Sequence, residues 1–200
     1  MRLSCFWYFT ANAMNVYDFD KTIYNGDSTI DYYFFCVRRK PILLRYLFRQ
    51  GLGLVLYFLG VFDKTKFKEW FYCFFHGLSD PERNLCAFWD IHIRKIKPWY
   101  IRQMRDDDVI ISASPEFLIK EAVQRLGEMT VIGSVVDSHT GRYTGENCFG
   151  EEKVRRLFER IPEAVVDSFY SDSYSDAPMA RVAQECYLVK GEKICSINWR

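Results

Sequence analysis

Apolar positions recur at helical spacing through the first half of this chain, and in short β-rich runs separated by helical stretches through the second. The second half begins with Val109 to Ser112, a strand. Pro115 to Leu126 then has helical spacing, with Pro115 suited to the first turn and Gly127 to the stop. Thr130 to Val136 reads as a strand, and Thr140 to Glu146, with Gly141 and Gly145 around Arg142, Tyr143 and Thr144, as a hairpin or flap. Glu151 to Arg160 is helical and stops before Pro162; Ala164 to Tyr170 is a strand, Ala177 to Gln184 a helix and Cys186 to Val189 a last strand. Strands alternating with helices predict a Rossmann-like parallel sheet with helices on both faces.

Between Asp20 and Val109 the pattern does not alternate. It predicts only helices, over Ser28 to Arg39, Ile42 to Leu59, Lys64 to Phe75 and Pro81 to Ile96, punctuated by Pro41, Gly60, Gly77 and Pro98. Before them stands one short apolar run, Met14 to Tyr17, which reads as a buried strand. The fold class is therefore α/β, with an all-helical insertion after the first strand. The expected division is an α/β core over residues 14–24 and 105–200, a helical cap over 25–104, and a leader over 1–13 outside the fold. That leader carries Arg2, a brief apolar run and Ala11-Asn12-Ala13, which mimics a minimal signal peptide, but its apolar part barely reaches the necessary length.

The first strand ends in Asp18-Phe19-Asp20-Lys21-Thr22. Side chains alternate along a strand, so Asp18 and Asp20 share one side while Phe19 faces the other. Two carboxylates this close repel unless a cation lies between them or one is protonated. Either outcome is chemistry: a hard divalent metal site, or a nucleophile beside a general acid. An Asp-rich turn is the plain alternative. Ligands of open α/β sheets bind beyond the carboxyl ends of the strands, so the other strand ends matter. After Val109-Ile110-Ile111 come Ser112-Ala113-Ser114-Pro115, hydroxyls and free N–H groups at a helix start, suited to an anion or to plain capping. Lys153 stands in the first turn of the Glu151 helix, where it can face a phosphate or simply the solvent. After Val165-Val166 come Asp172 and Asp176, a further carboxylate pair or a helix cap.

Composition narrows the classes. Two hundred residues at 49% hydrophobic content suffice for one core plus an insertion. A net charge of +1 without a basic block excludes an electrostatic footprint for nucleic acid. Seven cysteines with no CxxC suggest neither a disulfide framework nor a zinc ribbon, and reduced thiols fit a cytoplasmic protein. Aromatic residues make up 18% of the chain and concentrate between Tyr32 and Tyr100, where Trp70, Trp89, Trp99 and the phenylalanines are expected as cap core. The longest apolar stretch, Gly51 to Phe62, is short of the roughly 20 residues a membrane span needs. A buried helix is the preferred reading of it, and an interfacial helix on a bilayer the rival. His76, His92 and His139 are scattered and receive no role.

In order and placement, these elements resemble the haloacid dehalogenase superfamily of phosphohydrolases. Asp18 to Thr22 looks like its first motif, Ser112 its second, Lys153 its third, and Asp172 with Asp176 its fourth. The helical insertion, with Tyr143 to Cys148 followed by Glu152-Lys153-Val154, is similar to the branch holding phosphoserine phosphatase-like enzymes and bacterial phosphatidylglycerophosphatases. Lys21 departs from that pattern where glycine is frequent, as does Ser171-Asp172-Ser173 where Gly-Asp-Gly is usual. The resemblance implies a Mg²⁺-dependent phosphomonoester hydrolase with Asp18 as nucleophile and Asp20 as general acid and base. The implied metal ligands are Asp18, the Asp20 carbonyl and Asp172; Lys153, Ser112 and the Ala113 N–H meet the phosphoryl oxygens, and Asp176 holds the metal shell or Lys153.

Asp27, entering the cap, is a candidate substrate contact or the cap of the first cap helix. The expected substrate is a phosphorylated small metabolite or lipid, with no nucleic-acid partner. Two alternatives stay open: a membrane-associated lipid phosphatase leaning on a bilayer through its cap, and a phosphate-binding regulator without turnover. Few charges between Gly51 and Phe62 and many rings elsewhere predict an apolar roof, favouring a substrate with an apolar portion over a zwitterion such as phosphoserine.

Overall fold

The computed structural model describes residues 13–198. Strand β1 (Ala13–Tyr17) lies at the centre of a six-stranded sheet. On one side it pairs with β2 (Val109–Pro115) and then β3 (Thr130–Ser134); on the other with β4 (Val165–Ser171), β5 (Ala183–Lys190) and β6 (Lys193–Ser196). β1 to β5 run parallel, and β6 turns back antiparallel on β5 as an edge. Ala13 pairs with Val165, so it belongs to β1 rather than to the expected leader. The rest of that leader lies outside the described residues.

A central parallel strand is covered on both faces, which is why β1 reads as an apolar run rather than an alternation. Val16 and Tyr17 are both fully buried but enter different cores. Val16 joins Val109, Ile111, Val166, Phe169 and Leu157 on one face of the sheet. Tyr17 joins a larger core that unites the other face with the helical insertion.

That insertion comprises α1 (Ser28–Arg39), α2 (Leu47–Phe58), α3 (Lys64–Phe71), α4 (Pro81–His92) and α5 (Pro98–Gln103). Aspartates start three of them: Asp27 accepts from the Ile30 N–H, Asp63 from Lys66 and Asp80 from Arg83. Trp89 and Trp99 are buried as expected, and the Trp89 indole donates to the Leu118 carbonyl at 2.8 Å, tying α4 to α6 (Glu116–Val123). α7 (Glu151–Arg160) has the predicted bounds, and α8 (Ala177–Val182) follows β4.

Several expectations change. The helix expected over Ile42 to Leu59 is a 3₁₀ segment, Pro41–Tyr46, running into α2; 3₁₀ turns likewise end α3 and α4. Pro98, read as punctuation, instead opens α5, a position where its missing N–H costs nothing. The last expected helix ends at Val182, because β5 starts at Ala183 to pair with Val166. The expected hairpin is reduced to one bridge between Val136 and Tyr143, and Gly141, at φ +74°, sits so close to Tyr72 that no side chain fits. Gly51 to Phe62 is not a buried helix: within α2 only Gln50 and Gly53 are buried. Asp108, just before β2, is fully buried and accepts from the Arg105 N–H at 2.8 Å.

Candidate active site

The chain passes from β1 to β2 and β3 on one side of the sheet and returns to β4 on the other, so the loops after β1 and β4 diverge. The crevice between them is the expected place for a ligand. A cavity of about 370 Å³ opens there, lined by Asp18, Asp20, Asp27, Ser112, Ala113, Lys153, Asp172 and Asp176. All the candidate residues named from the sequence therefore share one space.

Asp18 extends the ladder, its N–H donating to the Tyr170 carbonyl at 2.9 Å. Lys153 reaches it from the first turn of α7. That lysine is 2% exposed and donates to Asp18 Oδ1 at 2.8 Å and Asp176 Oδ2 at 2.9 Å. Asp176 is fixed in turn by the Ser171 hydroxyl at 2.7 Å. Asp20 has other partners: the Ser28 N–H donates to Oδ1 at 2.6 Å and the Ser114 hydroxyl to Oδ2 at 2.5 Å. Phe19, between the two aspartates, points into the core and stacks on Tyr24. The alternation read from the sequence thus places both carboxylates in the cavity, with separate partners.

Between Asp20 and the insertion the chain turns at Lys21, whose φ of 60° lies in the left-handed region that favours glycine. Buried Lys97 braces that turn, donating to the Lys21 carbonyl at 2.6 Å and the Gly191 carbonyl at 2.7 Å. Asp27 caps α1 through Oδ1 at 3.0 Å while lining the cavity, so both readings of it describe one position. Ser112 is buried and its Oγ accepts from the Ser114 N–H at 3.2 Å.

Two side chains named from the sequence without this role, and two not named as candidates, join the site. Ser114, read as an anion contact or a cap, holds Asp20, and Thr22 donates to Asp18 Oδ2 at a long 3.4 Å. Lys68 donates to the Ala113 carbonyl at 2.7 Å and Asn147 Oδ1 at 3.1 Å, and Lys64 lies over the Phe149 ring, 3.6 Å from its centre. Both lysines line the cavity with Phe67 and Phe71. Their spacing of four puts them on one face of α3, a signal that was readable once this helix was known to roof the site. The roof is accordingly not the apolar surface expected: it carries two cations among its rings.

Burial sets the electrostatics. It pushes Asp18 up to about 7, against the pull of Lys153 and with a further push from Asp176. Asp20 rises to about 6, from burial first and the charge of Asp27 second, opposed by its bonds from Ser114 and Ser28. Burial works against the Lys153 cation, but Asp18 and Asp176 outweigh it and hold the lysine protonated. Lys68 falls to about 8 through burial and the nearby charge of Lys64.

The donor chemistry suits a hard divalent cation. Asp172 is half-buried, its side chain has no hydrogen-bond donor among the described residues, and burial raises its pKa. Among those residues no three His, Cys, Asp or Glu side chains form a metal cluster. A cation here would instead take two carboxylates, Asp18 and Asp172, plus the Asp20 carbonyl and water, an all-oxygen set fit for Mg²⁺.

A model of the haloacid dehalogenase-like hydrolases matches residues 16–181, from β1 through all these side chains to α8. The chain belongs to that family. The family member shares 30% identity over 92 residues with a histidinol-phosphatase of Neisseria meningitidis serogroup C (strain 8013), covering 40% of this chain and 41% of the relative. It thus spans less than half the length of that curated relative. A solved protein of unknown function from Bordetella pertussis Tohama I superposes with a TM-score of 0.66 at 21% identity, covering 87% of this chain and 88% of the other. A phosphoserine phosphohydrolase-like protein from Francisella tularensis subsp. tularensis SCHU S4 superposes at 0.55 with 13% identity, covering 87% and 85%. At these identities the two structures speak for the fold.

Proposed function

We propose that this family member is a Mg²⁺-dependent phosphomonoester hydrolase that works through an aspartyl-phosphate on Asp18. The observation that carries the reading is one cavity holding Asp18 bridged by Lys153 to Asp176, beside an independently held Asp20. A simple phosphate binder has no need of a nucleophile paired with an acid.

Asp18 attacks phosphorus as the bond to the leaving oxygen breaks. Asp20, with a pKa near 6, gives its proton to the departing alkoxide and then takes one from the water that cleaves the aspartyl-phosphate. Lys153 stays cationic and offsets the charge brought in by the phosphoryl group, while Asp176 keeps its ammonium aimed at Asp18. The Ser112 hydroxyl and Ala113 N–H meet the equatorial oxygens. Mg²⁺, held by Asp18, Asp172 and the Asp20 carbonyl, would supply the remaining charge compensation for an anion attacking an anion.

Residues 25–104 act in this reading as the cap that selects the substrate. Ile30, Phe67 and Phe71 offer an apolar wall and Lys64 with Lys68 a pair of cations. The substrate favoured is a phosphomonoester, small metabolite or lipid, with an apolar portion and a second anionic group. A turnover screen over such compounds, with and without Mg²⁺, tests the proposal. Tight phosphate binding without turnover of any of them would move the chain to the regulatory alternative.

A further inference from the structure

Helix α2 keeps its polar contacts inside and its apolar side chains outside. On its packed side, Gln50 accepts from the Tyr33 hydroxyl at 3.0 Å and donates to the Phe71 carbonyl at 2.9 Å. Gly53 sits against Trp70 so closely that an added Cβ would lie 2.9 Å from that side chain, and Tyr57 stacks on Phe67. On the opposite side Phe48, Leu52, Val55 and Leu59 follow the spacing of one helical face. Phe48 is 84% and Leu59 70% exposed, and Phe58 beside them is 77% exposed. A contiguous apolar face of this kind marks an interaction surface rather than scattered surface residues.

Charge says what covers it. Between Asp31 and Asp63 the chain has no acidic residue, yet it carries Arg38, Arg39, Lys40, Arg45 and Arg49, all exposed. Asp63, at the far end, caps α3, and Glu69 is paired with Lys66. An apolar helical face flanked by unopposed cations fits the boundary between acyl chains and anionic headgroups. A second copy docked face to face would instead set two such cationic flanks side by side. Twelve residues of helix extend about 18 Å, and among the described residues no helix is long and apolar enough to cross a membrane.

We propose that the outer face of α2 docks this protein onto anionic lipid bilayers, the helix lying in the interface with its basic flank against the headgroups. The proposal rests on α2 and its flanks, not on the catalytic reading. Flotation of the full chain with phosphatidylcholine vesicles, with and without phosphatidylglycerol, tests it. Binding should rise about tenfold with the anionic lipid and weaken with salt. The double variant Phe48→Ser/Leu59→Ser should lose most of that binding while keeping the circular dichroism spectrum and thermal midpoint of the parent. Arg38→Gln/Arg45→Gln should lose the preference for anionic lipid and the salt dependence. A chain that stays off both vesicle types would overturn the proposal. So would a dimer in sedimentation that Phe48→Ser/Leu59→Ser dissociates, because the face would then belong to a second copy.

Discussion

On the floor of the cavity, at the ends of β1, β2 and β4, four charges are held by other groups, Lys153 between Asp18 and Asp176 and Asp20 between Ser28 and Ser114, while the Asp172 side chain has no hydrogen-bond donor among the described residues. In the roof, α3 presents Lys64 and Lys68, and neither forms an ion pair with the described residues; Lys68 meets two neutral oxygens and Lys64 an aromatic face. A buried set of paired charges is rigid and preorganised for one piece of chemistry. Cations without an ion-pair partner of their own can meet an anion that arrives with the substrate, as the proposed function has it. The floor should therefore govern kcat and the roof KM, and substitutions on each side can break that division.

The largest effect is expected at Asp18. Asp18→Asn keeps shape and a contact to Lys153 while removing the proposed nucleophile, so turnover should fall at least about a thousandfold. The thermal midpoint should stay close to that of the parent, because the amide also relieves a buried carboxylate that burial has pushed up to about 7. Retention of a tenth of the activity in steady-state assays would remove Asp18 from the mechanism.

Asp20 comes next. Asp20→Asn should slow alkyl phosphates about a hundredfold and activated aryl phosphates far less, since a good leaving group needs little protonation. Equal losses for the two substrates would make Asp20 a structural clamp between Ser28 and Ser114 rather than an acid.

In the roof, Lys68→Met should raise KM about tenfold for a substrate with a second anion and change kcat little. Its pKa of about 8 adds a pH signature. The group is charged below that value and neutral above it, so KM should rise as pH passes 8, and Lys68→Arg should move that rise to higher pH. A fall in kcat with KM unchanged would show that Lys68 serves the floor, through its bond to the Ala113 carbonyl.

The same division separates what was legible in the sequence from what was not. The floor is local: strand alternation puts Asp18 and Asp20 on one side, and the ends of the parallel strands and the start of α7 bring Ser112, Asp172 and Lys153 to them. The roof depends on how helices are turned. Apolar content in Gly51 to Phe62 announced a helix but not its orientation, which Gln50 and Gly53 decide by packing on the Phe71 and Trp70 side of α3. Lys64 and Lys68 carry no signal of their own in the sequence; it is that packing that places their face over the cavity. β6 was missed because a four-residue edge strand carrying Lys193 has little pattern to read.

The smallest effect tests whether pairing is what makes the buried charges of the floor affordable. Asp108 lies at the far end of β2 from the cavity, fully buried, and its Oδ1 has no hydrogen bond; the Arg105 guanidinium stands 3.6 Å away. Burial raises its pKa from 3.8 to about 6. A carboxyl group that binds its proton more tightly in the folded chain stabilises the fold at low pH and loses that contribution as pH rises from about 4 to about 6. Asp108→Asn can keep the Arg105 N–H bond without the charge. It should raise stability at pH 7 by about 1 kcal/mol and flatten the pH dependence over that window, as read from urea unfolding. If Asp108→Asn is instead less stable than the parent at pH 7, the guanidinium at 3.6 Å suffices as a partner, and the contrast between held and unheld charges has to be drawn elsewhere.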